Sequence, residues 1–232
     1  MKAIILAAGQ GQRMRPLTLT TPKCLLKYGG QTNLDHIFVA FPSEIDEVII
    51  VVKYLGEQIK DYCKDNFHGR KISYVQGTGK GTAVDFMATS SFFKQNERLT
   101  IIYGDEVLTS EEIAMCLEHE FSWLCYKVSD PTQVGVATLD HENNIIEIIE
   151  KPARSKSNFA VNGFMVVNSD LFNCQPEAHN NGEYYLTSMM NKFIKNYKVI
   201  AIMGSVDHTQ LTFPVDLEQL EKMYAQKNLS NN

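Results

Sequence analysis

The sequence lacks any surplus of positive charge: 22 Lys and Arg against 27 Asp and Glu leave a formal net charge of −5. No long-range field draws such a chain to a polyanion, so nucleic acid is not expected as a partner and phosphate must be met by a few local cations. It also lacks a C-x-x-C pair. The five cysteines, Cys24, Cys63, Cys116, Cys125 and Cys174, are odd in number and irregular in spacing, which argues against zinc or dithiol chemistry and reads as reduced thiols. Nowhere do about 18 apolar residues follow one another. The opening MKAIILAAGQGQ carries one charge and too short an apolar run for a signal peptide. No membrane partner is expected, and the reading is of a cytoplasmic protein. Internal repeats and low-complexity tracts are missing as well. What remains, 232 residues at 44% hydrophobic content, can bury one substantial core and leaves little room for a second independent domain.

The apolar residues are grouped in short runs. Lys2 to Ala8, Glu47 to Lys53, Lys71 to Gln76 and Leu99 to Tyr103 read as buried strands. Between them, apolar residues at helical spacing (Leu55, Ile59, Tyr62 and Cys63, then Ala83, Phe86 and Met87) predict helices. Thr109 and Glu112 form a capping box ahead of Ile113, Cys116 and Leu117. Strand alternating with helix predicts an α/β fold with a Rossmann-like, mostly parallel sheet, flanking helices, and ligands at the carboxyl ends of its strands. After about residue 122 the runs Trp123 to Val128, Val134 to Leu139, Ile145 to Glu150 and Ala160 to Val167 are strand-like and separated by turn sequences, a small β-rich lobe. Helices at about Tyr185 to Asn196 and Asp216 to Lys227 close the chain.

Directly after the first strand stand Gly9 and Gly11, where backbone N–H groups can approach phosphate oxygens. A dinucleotide fingerprint needs a third glycine where Met14 stands, and a Walker loop needs a Gly-Lys-Ser/Thr that is absent. Neither standard motif fits. The loop has instead three cations close to one strand end: Arg13, Arg15 and Lys23.

LAAGQGQRMRPLTLTTPKCLL resembles the signature LAAGxGxRMxPLTxxxPKxLL of the sugar-phosphate nucleotidylyltransferases. GTGKGTA (Gly77 to Ala83), YGDEVL (Tyr103 to Leu108), DPTQVGV (Asp130 to Val136), EIIEKP (Glu147 to Pro152), SNFAVNGF (Ser157 to Phe164) and GEYYLT (Gly182 to Thr187) are similar to further blocks of that family, in family order. The closest look is to the uridylyl and thymidylyl branches, and the length matches members without a C-terminal acetyltransferase or helical extension. The resemblance implies a glycosyltransferase-A-like fold. It implies a single domain over 1–232, with a nucleotide-binding half at about 1–121 and a sugar-phosphate-binding half at about 122–232.

The implied reaction joins a sugar 1-phosphate to a nucleoside triphosphate with Mg²⁺, releasing pyrophosphate. Carried over by motif, Arg13 stabilises the leaving phosphates, Lys23 contacts the phosphoryl region, and Asp105 holds the metal. Leu6, Ala7, Ala8, Gly9 and Gly11 wall the nucleotide, with Gly81 and Thr82 beyond them. Gln76 reads the base, its amide matching the O/N–H edge of uracil or thymine, so UTP or dTTP is favoured. On the sugar side Lys151 clamps the phosphate and Glu150 accepts from hydroxyls. Gly135, Val161, Asn162 and Gly163 frame the pyranose, and Glu183 reads a distal hydroxyl. The resemblance leaves the oligomeric state open, a homo-oligomer included.

One block departs from the pattern. The family places a second metal-binding Asp four residues before a C-terminal Pro, and counting back from Pro214 lands on Gln210. Asp207 and Asp216 flank the position at the wrong spacing, and Ser188 stands where Asp is common after GEYYLT. A single-Asp site completed by phosphates and water, rescue by Asp207, and a weakened nucleotide-sugar-binding homologue all remain open. So does a cytidylyltransferase acting on a non-sugar phosphate.

Overall fold

The computed structural model describes residues 1–204 and 210–230, with the side chains of Asn162 and of residues 227–230 outside the description. In chain order the elements are β1 (Lys2–Ala7), β2 (Lys27–Tyr28), β3 (Gln31–Thr32), α1 (Asn33–Ala40), β4 (Glu47–Val52), α2 (Gly56–Cys63), β5 (Asn66–Phe67), β6 (Arg70–Gln76), α3 (Thr82–Met87), β7 (Arg98–Tyr103) and α4 (Ser110–Leu117). Next come β8 (Ser122–Lys127), β9 (Gly135–Leu139), β10 (Ile145–Glu150), β11 (Phe159–Asn168), α5 (Leu186–Phe193), β12 (Ile200–Met203) and α6 (Pro214–Ser230). Among the described residues no helix is long and apolar enough to cross a membrane, and all five cysteines are free thiols.

β1 and β4 read as unbroken apolar runs because both faces of the sheet are covered. Ile4, Leu6, Ile49, Val51 and Ile101 share one core with Phe86 of α3 and Met189 and Phe193 of α5. Ala3, Ile5, Val48, Ile50 and Ile102 face Leu34, Ile37 and Phe38 of α1, Ile59 of α2 and Ile113 of α4. A third, small cluster of Tyr28, Leu211 and Leu220 holds α6 against β2.

Parallel pairing runs through β7, β1, β4 and β6, as the alternation of elements predicts. Beyond β7 the pairs are antiparallel except β8 with β12, which run parallel, so as a whole the sheet is mixed. The β-rich second half is built onto the same sheet, and β11 makes the join. Its Phe164 to Asn168 pair with β7, its Phe159 and Ala160 pair with β9, and β8 runs along its other side. β7 and β9 therefore share one edge of β11 and diverge where the register with β8 shifts, between Val161 and Met165. Gly163, at φ 84°, lies in that shift. β7 and β9 thus part at the carboxyl end of β7.

Candidate active site

β1 and β7 end side by side, and their ends carry the residues expected on the phosphate side. Leu6 and Tyr103 are register partners, and the Gly104 N–H donates to the Leu6 carbonyl at 2.9 Å. Asp105, next along the chain, is bonded to the Lys23 ammonium, with the two side chains only 26% and 15% exposed. Gly11 adopts φ 59°, and a Cβ there would stand 2.9 Å from Thr18 Cγ2 and 3.3 Å from Lys23 Cβ. Glycine thus lets the loop fold tightly onto Lys23. Thr18 fixes the turn by donating to the Gly11 carbonyl at 2.7 Å. Arg13 is exposed at this loop, and its guanidinium carbon lies 5.5 Å from the centroid of the Phe213 ring, a cation–π distance.

Gln76 ends β6 with its side chain exposed, beside the loop Gly77 to Gly81. That loop is stitched to the second half of the chain. Tyr184 N–H donates to the Lys80 carbonyl and Ala83 N–H to the Tyr184 carbonyl, both at 2.9 Å, while Leu186 N–H donates to Thr82 Oγ1 at 3.0 Å. Gly81 permits it: φ is 122°, and a Cβ would collide with the Tyr184 backbone.

Among the residues expected to meet the sugar phosphate, Glu150 ends β10, its side chain 14% exposed. It accepts from Thr187 Oγ1 at 2.9 Å. Burial pushes its carboxyl above the usual range, against the Thr187 bond and the Lys151 charge, which favour ionisation. Gly135 lies underneath, where a Cβ would come within 3.0 Å of Thr187 and Val161. Lys151 has left-handed backbone, φ 45°, a conformation uncommon for a residue with a Cβ. It donates to Tyr185 Oη at 2.6 Å, and Tyr185 in turn donates to Glu183. Asn181 Nδ2 also donates to Tyr185 Oη, at 2.8 Å. One phenol therefore links the expected phosphate clamp to the expected hydroxyl reader.

The C-terminal stretch returns to the same strand ends. Leu211 N–H donates to the Asp105 carbonyl at 3.1 Å. Gln210 Nε2 donates to Glu106 Oε1 at 2.8 Å, and Thr212 Oγ1 donates to Gln210 Oε1 at 3.4 Å. Glu106 is fully buried. Asp207 and the Asn162 side chain lie outside the described residues. Asp216 is turned elsewhere: its Oδ2 accepts from the Thr212 and Phe213 N–H groups, both at 2.7 Å, at the start of α6. Ser188 is used locally, donating to the Tyr185 carbonyl at 2.8 Å and accepting from Glu177 N–H at 3.1 Å.

The structure brings Lys23 to Asp105, Gly135 to Glu150 and to Val161, and Lys151 to Glu183 through Tyr185, whereas Arg13 lies against Phe213. Glu106, Tyr185, Thr187 and Phe213 were not singled out from the sequence. Tyr103 was missed too: its phenol is pushed up by burial and by the nearby Glu150, Glu106 and Asp105 carboxylates. Four of these stand inside quoted blocks, YGDEVL and GEYYLT, where a hydroxyl or carboxyl beside a site residue was the available signal. Phe213 offered none.

The family model described as nucleotidyl transferase matches residues 2–207. The bifunctional protein GlmU of Methanocaldococcus jannaschii is 31% identical over 230 residues, 98% of this chain and 55% of that protein. The chain thus spans about half the length of that relative. The UTP–glucose-1-phosphate uridylyltransferase AglF of Haloferax volcanii is 27% identical over 241 residues, covering 96% of each chain. Among solved structures, a Bacillus anthracis protein described as a glucose-1-phosphate thymidylyltransferase superposes with a TM-score of 0.83 at 26% identity, covering 97% of this chain and 95% of its own. A UDP-glucose pyrophosphorylase shares the fold at a TM-score of 0.86 and 19% identity.

Proposed function

Because this chain belongs to the nucleotidyl transferase family, we propose that it joins a sugar 1-phosphate to UTP or dTTP, giving a nucleotide-sugar and pyrophosphate. The observation that carries the reading is the stitch of Lys80, Thr82 and Ala83 to Tyr184 and Leu186. It fastens the base-reading block to the block that carries Glu183, so two substrates held by two halves of the chain share one cleft. In this reading the nucleotide is held at about 1–121 and the sugar phosphate at about 122–232.

The chemistry asks for little beyond position and charge. A phosphate oxygen of the sugar 1-phosphate attacks the α-phosphorus in line, the bond to the β-phosphate oxygen breaks, and pyrophosphate leaves. Gly9, Gly11 and the wall of Leu6, Ala7 and Ala8 hold the triphosphate. Lys23 faces the reacting phosphoryl group, and Arg13 leaves the Phe213 ring for the departing phosphates. Gln76, with Gly81 and Thr82, reads the base. Lys151 leaves Tyr185 for the sugar phosphate. Glu150 and Glu183 accept from hydroxyls, with Gly135, Val161, Asn162 and Gly163 framing the ring.

The family typically uses Mg²⁺. Among the described residues no cluster of three or more ligating side chains stands ready for a metal. The Asp105 carboxylate fits Mg²⁺, which binds through one or two carboxylates and completes its shell with phosphates and water. When bound, the ion would neutralise charge on the triphosphate. Lys23 is ion-paired with the same carboxylate.

The test is a panel of nucleoside triphosphates against sugar 1-phosphates with Mg²⁺, read out as pyrophosphate. Turnover is expected with UTP or dTTP, and Gln76→Ala should narrow the preference over GTP and ATP by about 1–3 kcal/mol. Preference for GTP would remove Gln76 as the reader. Tight nucleotide-sugar binding without turnover would leave a weakened homologue. CTP turnover with a non-sugar phosphate would overturn the choice of acceptor.

A further inference from the structure

Thr78 and Gly79 present successive N–H groups to one point, in the manner of an anion-binding nest. The anion there belongs to the chain itself. Asp85 Oδ1, on α3, accepts from Thr78 N–H at 2.6 Å, from Thr78 Oγ1 at 3.0 Å and from Gly79 N–H at 3.3 Å. Thr78 Oγ1 also accepts from Lys80 N–H at 3.1 Å. Asp85 is 6% exposed, and burying the carboxylate is offset by the three hydrogen bonds that Oδ1 accepts. Donors committed to Asp85 cannot serve a substrate phosphate, so what the loop offers a nucleotide is shape.

The shape is fixed from three sides. Inside, Asp85 gathers Thr78 and Gly79. From solvent, Lys53 donates to the Thr78 carbonyl and lies against Gly79. At the root of the loop Gly77 closes on the phosphate strand, where a Cβ would stand 2.8 Å from Ala8 Cβ and 3.2 Å from Asp85 Oδ1. Gln76 is the residue immediately before, and Gly77 N–H donates to the Val52 carbonyl at 2.8 Å. Any movement of the loop therefore moves the side chain that meets the base relative to the strand that meets the phosphates. We propose that Asp85 is the positioning residue for base recognition, setting the distance between the base reader and the triphosphate. The inference rests on the reading of Gln76 and its loop as the base site.

The test is calorimetric titration of UTP and GTP into wild type, Asp85→Ala, Asp85→Asn and Thr78→Ala, with thermal melts of the same samples. Asp85→Ala should weaken UTP binding about tenfold or more and draw the UTP and GTP affinities together. The KM of the sugar 1-phosphate that turns over best in the pyrophosphate screen, at saturating nucleotide, should stay within about twofold. Formate, which can enter the space left by the carboxylate, should restore part of the UTP affinity. Asp85→Asn keeps one acceptor oxygen and should fall between. If Asp85→Ala does not fold, Asp85→Asn and the exposed Thr78→Ala decide, each expected to weaken UTP about threefold with the sugar phosphate KM unmoved. Folded variants with wild-type UTP affinity and base preference would overturn the inference. So would equal losses for UTP and sugar phosphate, which mark a general loosening of the cleft. A wild type that binds no nucleoside triphosphate would instead sink the proposed function, and this inference with it.

Discussion

Gln210→Asp restores an acid where the family pattern has one, and the structure says what that acid would meet. Gln210 donates to Glu106 at 2.8 Å, and Glu106 has no exposed surface. The substitution removes a hydrogen bond to a buried carboxyl, about 0.5–1.5 kcal/mol. It also sets two carboxylates together, about 4 kcal/mol at 4 Å separation and an effective dielectric of 20. These costs do not add in full, because one of two facing carboxyls can take a proton and donate it to the other. A loss of about 3 kcal/mol is expected at pH 8, which lowers the Tm by roughly 6–12 °C in a chain of this size.

The pH dependence has a definite sign. A carboxyl whose folded pKa is raised by its neighbour contributes its stability in full below its unfolded value near 4, and loses it as pH rises through the folded value. The gap between Gln210→Asp and wild type should therefore widen from pH 5 to pH 8. Thermal melts at both pH values, for the two single variants Gln210→Asp and Glu106→Gln and for their double, check it. The double variant exchanges the acid and the amide across the same contact and should recover most of the loss. Equal destabilisation at pH 5 and pH 8, or a double variant no better than the sum of the singles, would refute the reasoning.

Arg13→Ala should lower turnover about a hundredfold or more, since a donor to the leaving phosphates is lost. Its melt should stay near the wild-type temperature, because the side chain is exposed and its one contact among the described residues is the Phe213 ring; near-normal turnover would remove it from the mechanism. Glu150→Gln should melt higher than wild type at pH 8 and no higher at pH 4, because burial raises the Glu150 carboxyl and stability is lost as pH passes its folded value. The same variant should raise the sugar phosphate KM, and a lower melt at pH 8 would contradict the burial argument. Gly81→Ala should cost about 1–3 kcal/mol in backbone strain alone, and more as the new Cβ meets the Tyr184 backbone; denaturant titration measures it, and wild-type stability would mean the stitch between the halves is dispensable.

Strands buried on both faces were the easiest elements to read. The runs in β1, β4 and β7 end within a residue or so of the reading, and so does that of β6, which is mostly half-buried. The capping box at Thr109 and Glu112 forms as expected. An equivalent box at the start of α1 went unread because its third residue is Asp35, where the usual pattern has Glu or Gln. Tyr185 stands just outside α5, its hydroxyl committed to Lys151, Asn181 and Glu183. Periodicity alone could not separate such a cap from the first helical turn. The antiparallel turn of the sheet was hidden as well: β11 reads as one continuous strand in sequence, and only pairing reveals that it changes partner from β9 to β7 midway.

The candidate site divides along the same line. Residues expected to touch phosphate, base or sugar were legible because substrate chemistry dictates their type, a cation here and a carboxylate there, at fixed distances from a strand end. The residues that hold them answer to other side chains instead. Gln210 and Glu106 meet across 104 positions of sequence, and Arg13 and Phe213 across nearly the length of the chain. Asp85 is nearer, yet its partners are two backbone N–H groups and a hydroxyl, and a backbone N–H leaves no trace in a sequence. Motifs thus record contact with ligand far better than support of the residue that makes it. The consequence bears on Gln210: counting back from Pro214 treats it as a lost ligand, while its bond to a buried carboxylate gives it a task of its own, so its neutrality alone is no measure of a weakened enzyme.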